Sequence, residues 1–184
     1  KRIYATSTVG SLREDYAPGD MVFADQFIDR TTKREQSFYT LAEGKVCHIS
    51  PAEPMCPELH QTAIEAAKTL NLKHHPTGTY VCIEGPRFST KAESRMYRQW
   101  GADIIGMTMV PEVVLAREAE ICYTNISTVT DYDCWKDHNV CVDDIVAVMK
   151  TGIENVKKII AEVIAKTPST QSCKCNCALN GAFA

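Results

Sequence analysis

Nowhere in this sequence is there an apolar run near the roughly 20 residues that a membrane-crossing helix needs, and no membrane partner is expected. Basic excess is also lacking: 20 Lys and Arg face 23 Asp and Glu, for a net charge of −3. Without a positive field, nucleic acid is not an expected partner either. The phosphate-cradling P-loop, the G-x-S-x-G elbow and the H-E-x-x-H helix are all absent. Neither Walker-type nucleotide hydrolysis nor serine or zinc hydrolysis is therefore indicated. The five histidines, His48, His60, His74, His75 and His138, never fall at the i, i+4 spacing of a helical metal site. No internal repeat or linker interrupts the chain, so residues 1–184 read as one domain, with 167–184 as a Cys-rich tail. No signal-peptide pattern opens it, and the expected address is cytoplasmic. The sequence starts inside a strand, without a Met, and reads as a piece whose N-terminal part lies upstream.

Cysteine, by contrast, is abundant, with nine residues. Six are scattered: Cys47, Cys56, Cys82, Cys122, Cys134 and Cys141. These read first as small buried hydrophobes, with intracellular disulfides of the hyperthermophile kind as the alternative. Cys173, Cys175 and Cys177 form a C-x-C-x-C run, too tight for the usual two-pair zinc pattern. It reads as a vicinal or redox-active disulfide, or as a flexible reduced tail. No metal site is expected.

Hydrophobic patterning alternates strands with helices. Strands are expected over 3–8, before a turn at Gly10-Ser11, over 21–28, 79–83 and 103–106, and over 121–129, the last buried on both faces. Residues 29–50 have no period and read as a long loop, a kind of segment that is often functional. Helices are expected from Pro57 to Leu70, from the capping-box pair Thr90/Glu93 to Trp100, from Pro111 onward, and from an Asp143 cap to Pro168. The last helix carries an apolar set from Ile145 to Ile164 that should bury one face. The pattern implies an α/β fold, in which ligands collect at the C-terminal ends of strands.

Four clusters sit at such ends. Asp131 and Asp133, in Thr130-Asp131-Tyr132-Asp133-Cys134-Trp135, can point the same way from extended backbone, one serving a leaving group and the other orienting it. A polar turn, or a Mg²⁺-binding pair, would look the same locally. Glu84-Gly85-Pro86-Arg87-Phe88-Ser89 offers an aromatic face in Phe88 and a donor and acceptor in Ser89, or simply a loop and cap. Met107-Thr108 supplies an adaptable apolar surface suited to a sugar, or a core residue beside a helix start. Ser7 and Thr8 offer hydroxyls that can hold phosphate.

Taken with Ser11-Leu12-Arg13-Glu14, Pro18-Gly19-Asp20, the string from Asp25 to Thr32, Gln36-Ser37-Phe38-Tyr39 and Val46-Cys47-His48-Ile49, these clusters resemble the methylthioadenosine phosphorylases of the trimeric purine nucleoside phosphorylase superfamily. The tail cysteines resemble the C-x-C endings of archaeal members. The resemblance implies a mixed, partly barrel-like β-sheet flanked by helices, here without its N-terminal part. It also implies a homotrimer or hexamer, and phosphorolysis of methylthioadenosine to adenine and 5-methylthioribose-1-phosphate in purine and methionine salvage. Phosphate is then a co-substrate, and no cofactor is needed.

By that resemblance Asp131 is catalytic, hydrogen-bonding the purine N7. Asp133 takes the 6-amino group, helped by Ser89, Phe88 stacks on the base, and Met107 packs under the ribose. Ser7, Thr8 and Thr108 contact phosphate or ribose, and His48 is lent by a neighbouring subunit. A further Ser/Thr loop and an Arg-His pair for phosphate belong to the N-terminal region. A carboxylate at the base favours 6-amino over 6-oxo purines. The alternatives are a broader purine nucleoside or methylthioinosine phosphorylase, or an inactive purine-binding scaffold protein.

Overall fold

The computed structural model describes residues 1–39, 44–136 and 140–184, so His138 lies outside the described residues. Its centre is a pair of ten-residue parallel strands, β1 (Arg2–Ser11) and β7 (Cys122–Asp131). Around them β2 (Met21–Val22), β3 (Gln26–Arg30), β4 (His74–His75), β5 (Thr79–Ile83) and β6 (Ile104–Gly106) complete a mixed seven-stranded sheet in the order β3-β5-β6-β1-β7-β2-β4. Helices α1 (Pro57–Thr69), α2 (Lys91–Gln99), α3 (Met109–Glu118) and α4 (Val142–Lys166) flank it. The α/β class and the mixed sheet expected from the sequence are both observed.

Several boundaries differ for identifiable reasons. Gly10 and Ser11 do not turn: they pair with Ile105 and Ile104 of β6, which holds them in the strand. The single strand expected over 21–28 divides, because β2 pairs with β7 while β3 pairs with β5 near the opposite side of the sheet. The two histidines of β4 join the sheet beside β2, which local pattern did not signal. His75 Nε2 there meets the buried Asp20 Oδ2 at 2.8 Å, a structural pairing. Strand β7 is buried through Thr130, as expected, yet it is polar rather than apolar: Thr124, Asn125, Ser127 and Thr128 are all buried. Such side chains are tolerated inside when they find partners, as Asn125, Ser127 and Thr128 do, whereas the Thr124 hydroxyl has none among the described residues.

Helix α2 starts as its sequence specifies. Thr90 accepts from the Glu93 backbone and the Glu93 side chain returns to the Thr90 N–H, a complete capping box. Regular α3 geometry begins at Pro111, with Val110 extended before it (φ −98°, ψ 131°). Helix α4 is capped at Cys141 rather than Asp143, which lies inside the first turn. There its carboxylate opposes the positive helix end instead of closing it.

The apolar stripe of α4 is covered along only half its length. Ile159 and Val163 are buried against Ala63, Ala66 and Ala67 of α1, and Gly152 lets the helix approach Thr128 closely. Val142, Val146 and Ile153 stay exposed, because α1 reaches only the C-terminal half. The tail is not loose: Cys175 is buried, Ser172 N–H donates to Glu58, and Leu179 N–H donates to Glu120. All nine cysteines are unbridged; Cys56, Cys82, Cys122 and Cys134 are buried as expected, whereas Cys141 is exposed.

The two halves of α4 should respond differently to truncation. Ile159→Ala is expected to cost about 2–5 kcal/mol in denaturant unfolding of the complete protein, and Val146→Ala less than ~0.5 kcal/mol. Equal costs would mean that another surface covers Val146.

Candidate active site

At the sheet's centre the strand direction reverses between β6 and β1, which run antiparallel, while β1 and β7 remain parallel. Ligand crevices in α/β sheets lie beyond the C-terminal ends of the strands, and β1 and β7 end here side by side. Here the crevice is a cavity of about 230 Å³, lined among others by Thr8, Gly10, Phe88, Ser89, Met107, Thr108, Asp131 and Asp133. Seven of the nine residues expected at the site therefore share one cavity. Ser7 lines an adjoining space of about 420 Å³, which also touches Thr8 and Thr108. His48 is exposed at the surface, its N–H donating to Ala182 O at 2.7 Å, and lines neither space.

The carboxylates are placed by the end of the central strand pair. A register shift at Val9/Gly10 sets Gly10 opposite Asp131. A Cβ on Gly10 would stand 3.0 Å from Asp131 Oδ2 and 3.3 Å from the Asp133 Cβ, so the missing side chain makes room for both acids. Asp131 is oriented by Thr130 Oγ1, donating at 2.7 Å, and by the Asp133 N–H, donating at 2.9 Å. Asp133 has a positive φ of 46°, an unusual state for a non-glycine residue and one that gathers at functional sites. Trp135 fastens the segment: its Nε1–H donates to Ser11 O at 2.7 Å, and the Arg98 guanidinium lies 3.7 Å over its ring.

Asp133 is only 5% exposed. Burial pushes its carboxyl above the usual carboxylate range, and the nearby Asp131 charge pushes the same way. The Ser89 hydroxyl is buried at the cavity wall without a hydrogen-bond partner among the described residues. An orphaned hydroxyl of this kind is costly unless something polar arrives to meet it.

The loops that carry Phe88 and Met107 are tied together by a residue that sequence reasoning did not single out. Arg34, from the aperiodic stretch after β3, donates to Met107 O at 2.7 Å, to Glu84 O at 3.0 Å and to Val110 O. One guanidinium thereby ties the loop after β5 to the loop after β6. Arg87 grips Glu93 through two bonds of 2.8 and 2.7 Å; with the capping bond from Thr90 these hold the Glu93 carboxyl down to about 2. At the other end of the cavity a polar chain runs from Ser127 through Asn125 to Ser7 and Thr108, in steps of 2.6 to 2.9 Å. Tyr80 OH closes it, 3.4 Å from Thr108 Oγ1. Asn125, Ser127 and Tyr80 look like ordinary strand residues in sequence; only the alternation of polar side chains along β7 could have flagged the first two.

The arrangement provides a largely apolar cavity that carries two acids and several hydroxyls. Residues 1–165 match the model of the Phosphorylase superfamily. The chain belongs to the phosphorylase superfamily. Among its curated relatives it is 57% identical over 175 residues to the S-methyl-5'-thioadenosine phosphorylase of Pyrococcus horikoshii, covering 95% of this chain and 67% of that protein. It is 52% identical over its whole length to that of Thermofilum pendens, covering 69% of that protein. A solved superfamily structure, the methylthioadenosine phosphorylase of Schistosoma mansoni with adenine, superposes with a TM-score of 0.93 at 36% identity, over 99% of this chain and 72% of that one.

The buried acid carries a pH signature. Because the folded chain holds the Asp133 proton more tightly than the unfolded chain, this group's contribution is complete below the unfolded value, near pH ~4. It is lost as pH rises through the folded value. Asp133→Asn is therefore expected to raise the Tm at neutral pH, with the gain vanishing at acid pH. A gain that does not change with pH would trace to something other than the buried charge.

Proposed function

We propose that this chain carries the base-binding end, and part of the ribose and phosphate end, of an S-methyl-5'-thioadenosine phosphorylase. The observation that carries this reading is the cavity that joins Asp131, Asp133 and the unpaired Ser89 hydroxyl to Phe88 and Met107. A purine slotted against Phe88 would place its polar edge toward the acids. Asp133 then accepts from the exocyclic amino group, and Ser89 gains the partner it lacks.

In the reaction, phosphate oxygen forms a bond to the anomeric carbon while the bond from that carbon to the purine nitrogen breaks. The electron pair leaves with the base, and charge builds on the ring. Asp131 meets that charge through a hydrogen bond shared with N7. Met107 packs under a ribose that becomes cationic. Thr8, Thr108 and Ser7 supply hydroxyls to phosphate and sugar, with Ser7 and Thr108 pre-positioned by Asn125 and Tyr80. Phosphate is consumed as co-substrate, and none of these steps calls on a cofactor. A carboxylate facing the 6-position disfavours a 6-oxo purine, which would bring a lone pair there. Solved neighbours include an adenosine/methylthioadenosine phosphorylase from Schistosoma mansoni with a TM-score of 0.89, so adenosine is the second substrate to try.

His48, exposed and outside the cavity of its own chain, fits a group lent to a neighbour's 5' pocket, which makes a trimer or hexamer part of the site. Light scattering of the complete protein should accordingly read three or six chains. An active monomer would remove His48 from the site.

Adenine release from methylthioadenosine by the complete protein should require phosphate, and inosine should be a poor substrate. Asp131→Asn should lower turnover about 10²–10⁴-fold, the usual worth of a general acid or base, while adenine affinity changes far less. Release without phosphate would indicate a nucleosidase, and matched losses of turnover and affinity would make Asp131 structural.

A further inference from the structure

Away from the base cavity, three distant segments bring four cysteines to one point. Cys56 precedes the first turn of α1, Cys122 opens β7, and Cys173 and Cys175 come from the tail. Their sulfurs all lie within 4.8 Å of one another. The Sγ separations are 3.6 Å for Cys56–Cys173 and 3.5 Å for Cys122–Cys173. A disulfide would need about 2.05 Å. Thiolates at about 2.3 Å from a central zinc ion stand at the corners of a tetrahedron with edges of about 3.8 Å. The observed spacing is close to that of four ligands around one ion.

The surroundings suit thiolates as well. Cys56 is the N-cap residue of α1, whose side chain makes no capping hydrogen bond there, and the helix end is positive. Cys173 Sγ accepts from Gln171 Nε2 at 3.3 Å. Arg2 stands opposite Cys122 in the β1–β7 register, on the same face of the sheet, and its Nε and Nη2 are buried without hydrogen-bond partners among the described residues. A buried guanidinium with no partner is costly; a tetrathiolate centre, which carries net negative charge, would supply a counter-charge. Cys56, Cys122 and Cys175 are each at most 4% exposed and Cys173 is half-buried, and four thiolates fill every position of a tetrahedral ion. Cys177 is not part of the set: its Sγ donates to Lys174 O at 3.1 Å. The tail's own spacing shows no zinc pattern because half of the donors come from α1 and β7.

We propose that Cys56, Cys122, Cys173 and Cys175 form a closed structural site for a soft divalent ion, zinc by its ligand chemistry, that fastens the tail to α1 and β7. Each thiol that binds releases its proton to solvent, and no redox partner is needed. None of the four cysteines lines the base cavity, so the role is structural.

The test begins with the complete protein, purified without oxygen and without chelator and then dialysed. Elemental analysis should find one zinc per chain. Exchange with Co²⁺ should give the intense charge-transfer and visible bands of a tetrahedral tetrathiolate. The double variant Cys173→Ser/Cys175→Ser should lose the metal and unfold at lower temperature, whereas Cys177→Ser should keep it. Where the double variant fails to fold, the cobalt spectrum of the wild-type protein still decides the ligand set. Three results would overturn the proposal: a denatured mass short by two hydrogens for each bridged pair, four free thiols that take up neither zinc nor cobalt, or metal lost equally in Cys177→Ser.

Discussion

Everything at the candidate site depends on the parallel pairing of β1 with β7. The two strands run together for their full lengths and end side by side, so hydroxyls from one and carboxylates from the other reach the same crevice. Neither strand could do this alone. Parallel pairing also requires cover on both faces, which α1, α3 and α4 help to provide by packing against β7. The slip in register at Gly10 is the one irregularity in the pair, and it occurs where the acids need space.

The site's chemistry is concentrated where the structure is least comfortable. Asp133 combines burial, a left-handed backbone and a neighbouring acid. Ser89 keeps a buried hydroxyl without a partner. Both features oppose stability in the free protein. The supports around them are conventional by comparison: a capping box, a bidentate ion pair and a tryptophan bound to the end of β1. Strain at the centre with rigid, locally encoded supports around it is the usual division of labour in a binding site.

That division also governs what could be read from sequence. The capping box of α2, Pro57 at the start of α1 and the D-x-D segment after β7 are local signals, and they were legible. Asn125, Ser127 and Tyr80 acquire their role only from cross-strand register, which no local pattern contains. Arg34 lies in a stretch with no period, and its partners are main-chain carbonyls, which no side-chain motif announces. The split of strand 21–28 and the half-covered α4 were hidden for a related reason: hydrophobic spacing states that a face is apolar, not which neighbour arrives to cover it. The tail, with its run of cysteines, read as a local disulfide or a loose end, because much of what holds it lies more than a hundred residues away in the chain.

Arg34 has a mechanical consequence. Because its guanidinium is bonded to carbonyls of both rim loops, the lip bearing Phe88 and the lip bearing Met107 form one body. Parting these two lips would break several charge-assisted bonds together, whereas the uncovered first half of α4 offers no such resistance. The cavity thus has a hard jaw and a soft one. Tolerance for bulk on a ligand should follow that asymmetry, strict against the wall formed by Phe88 and Met107 and lenient toward α4.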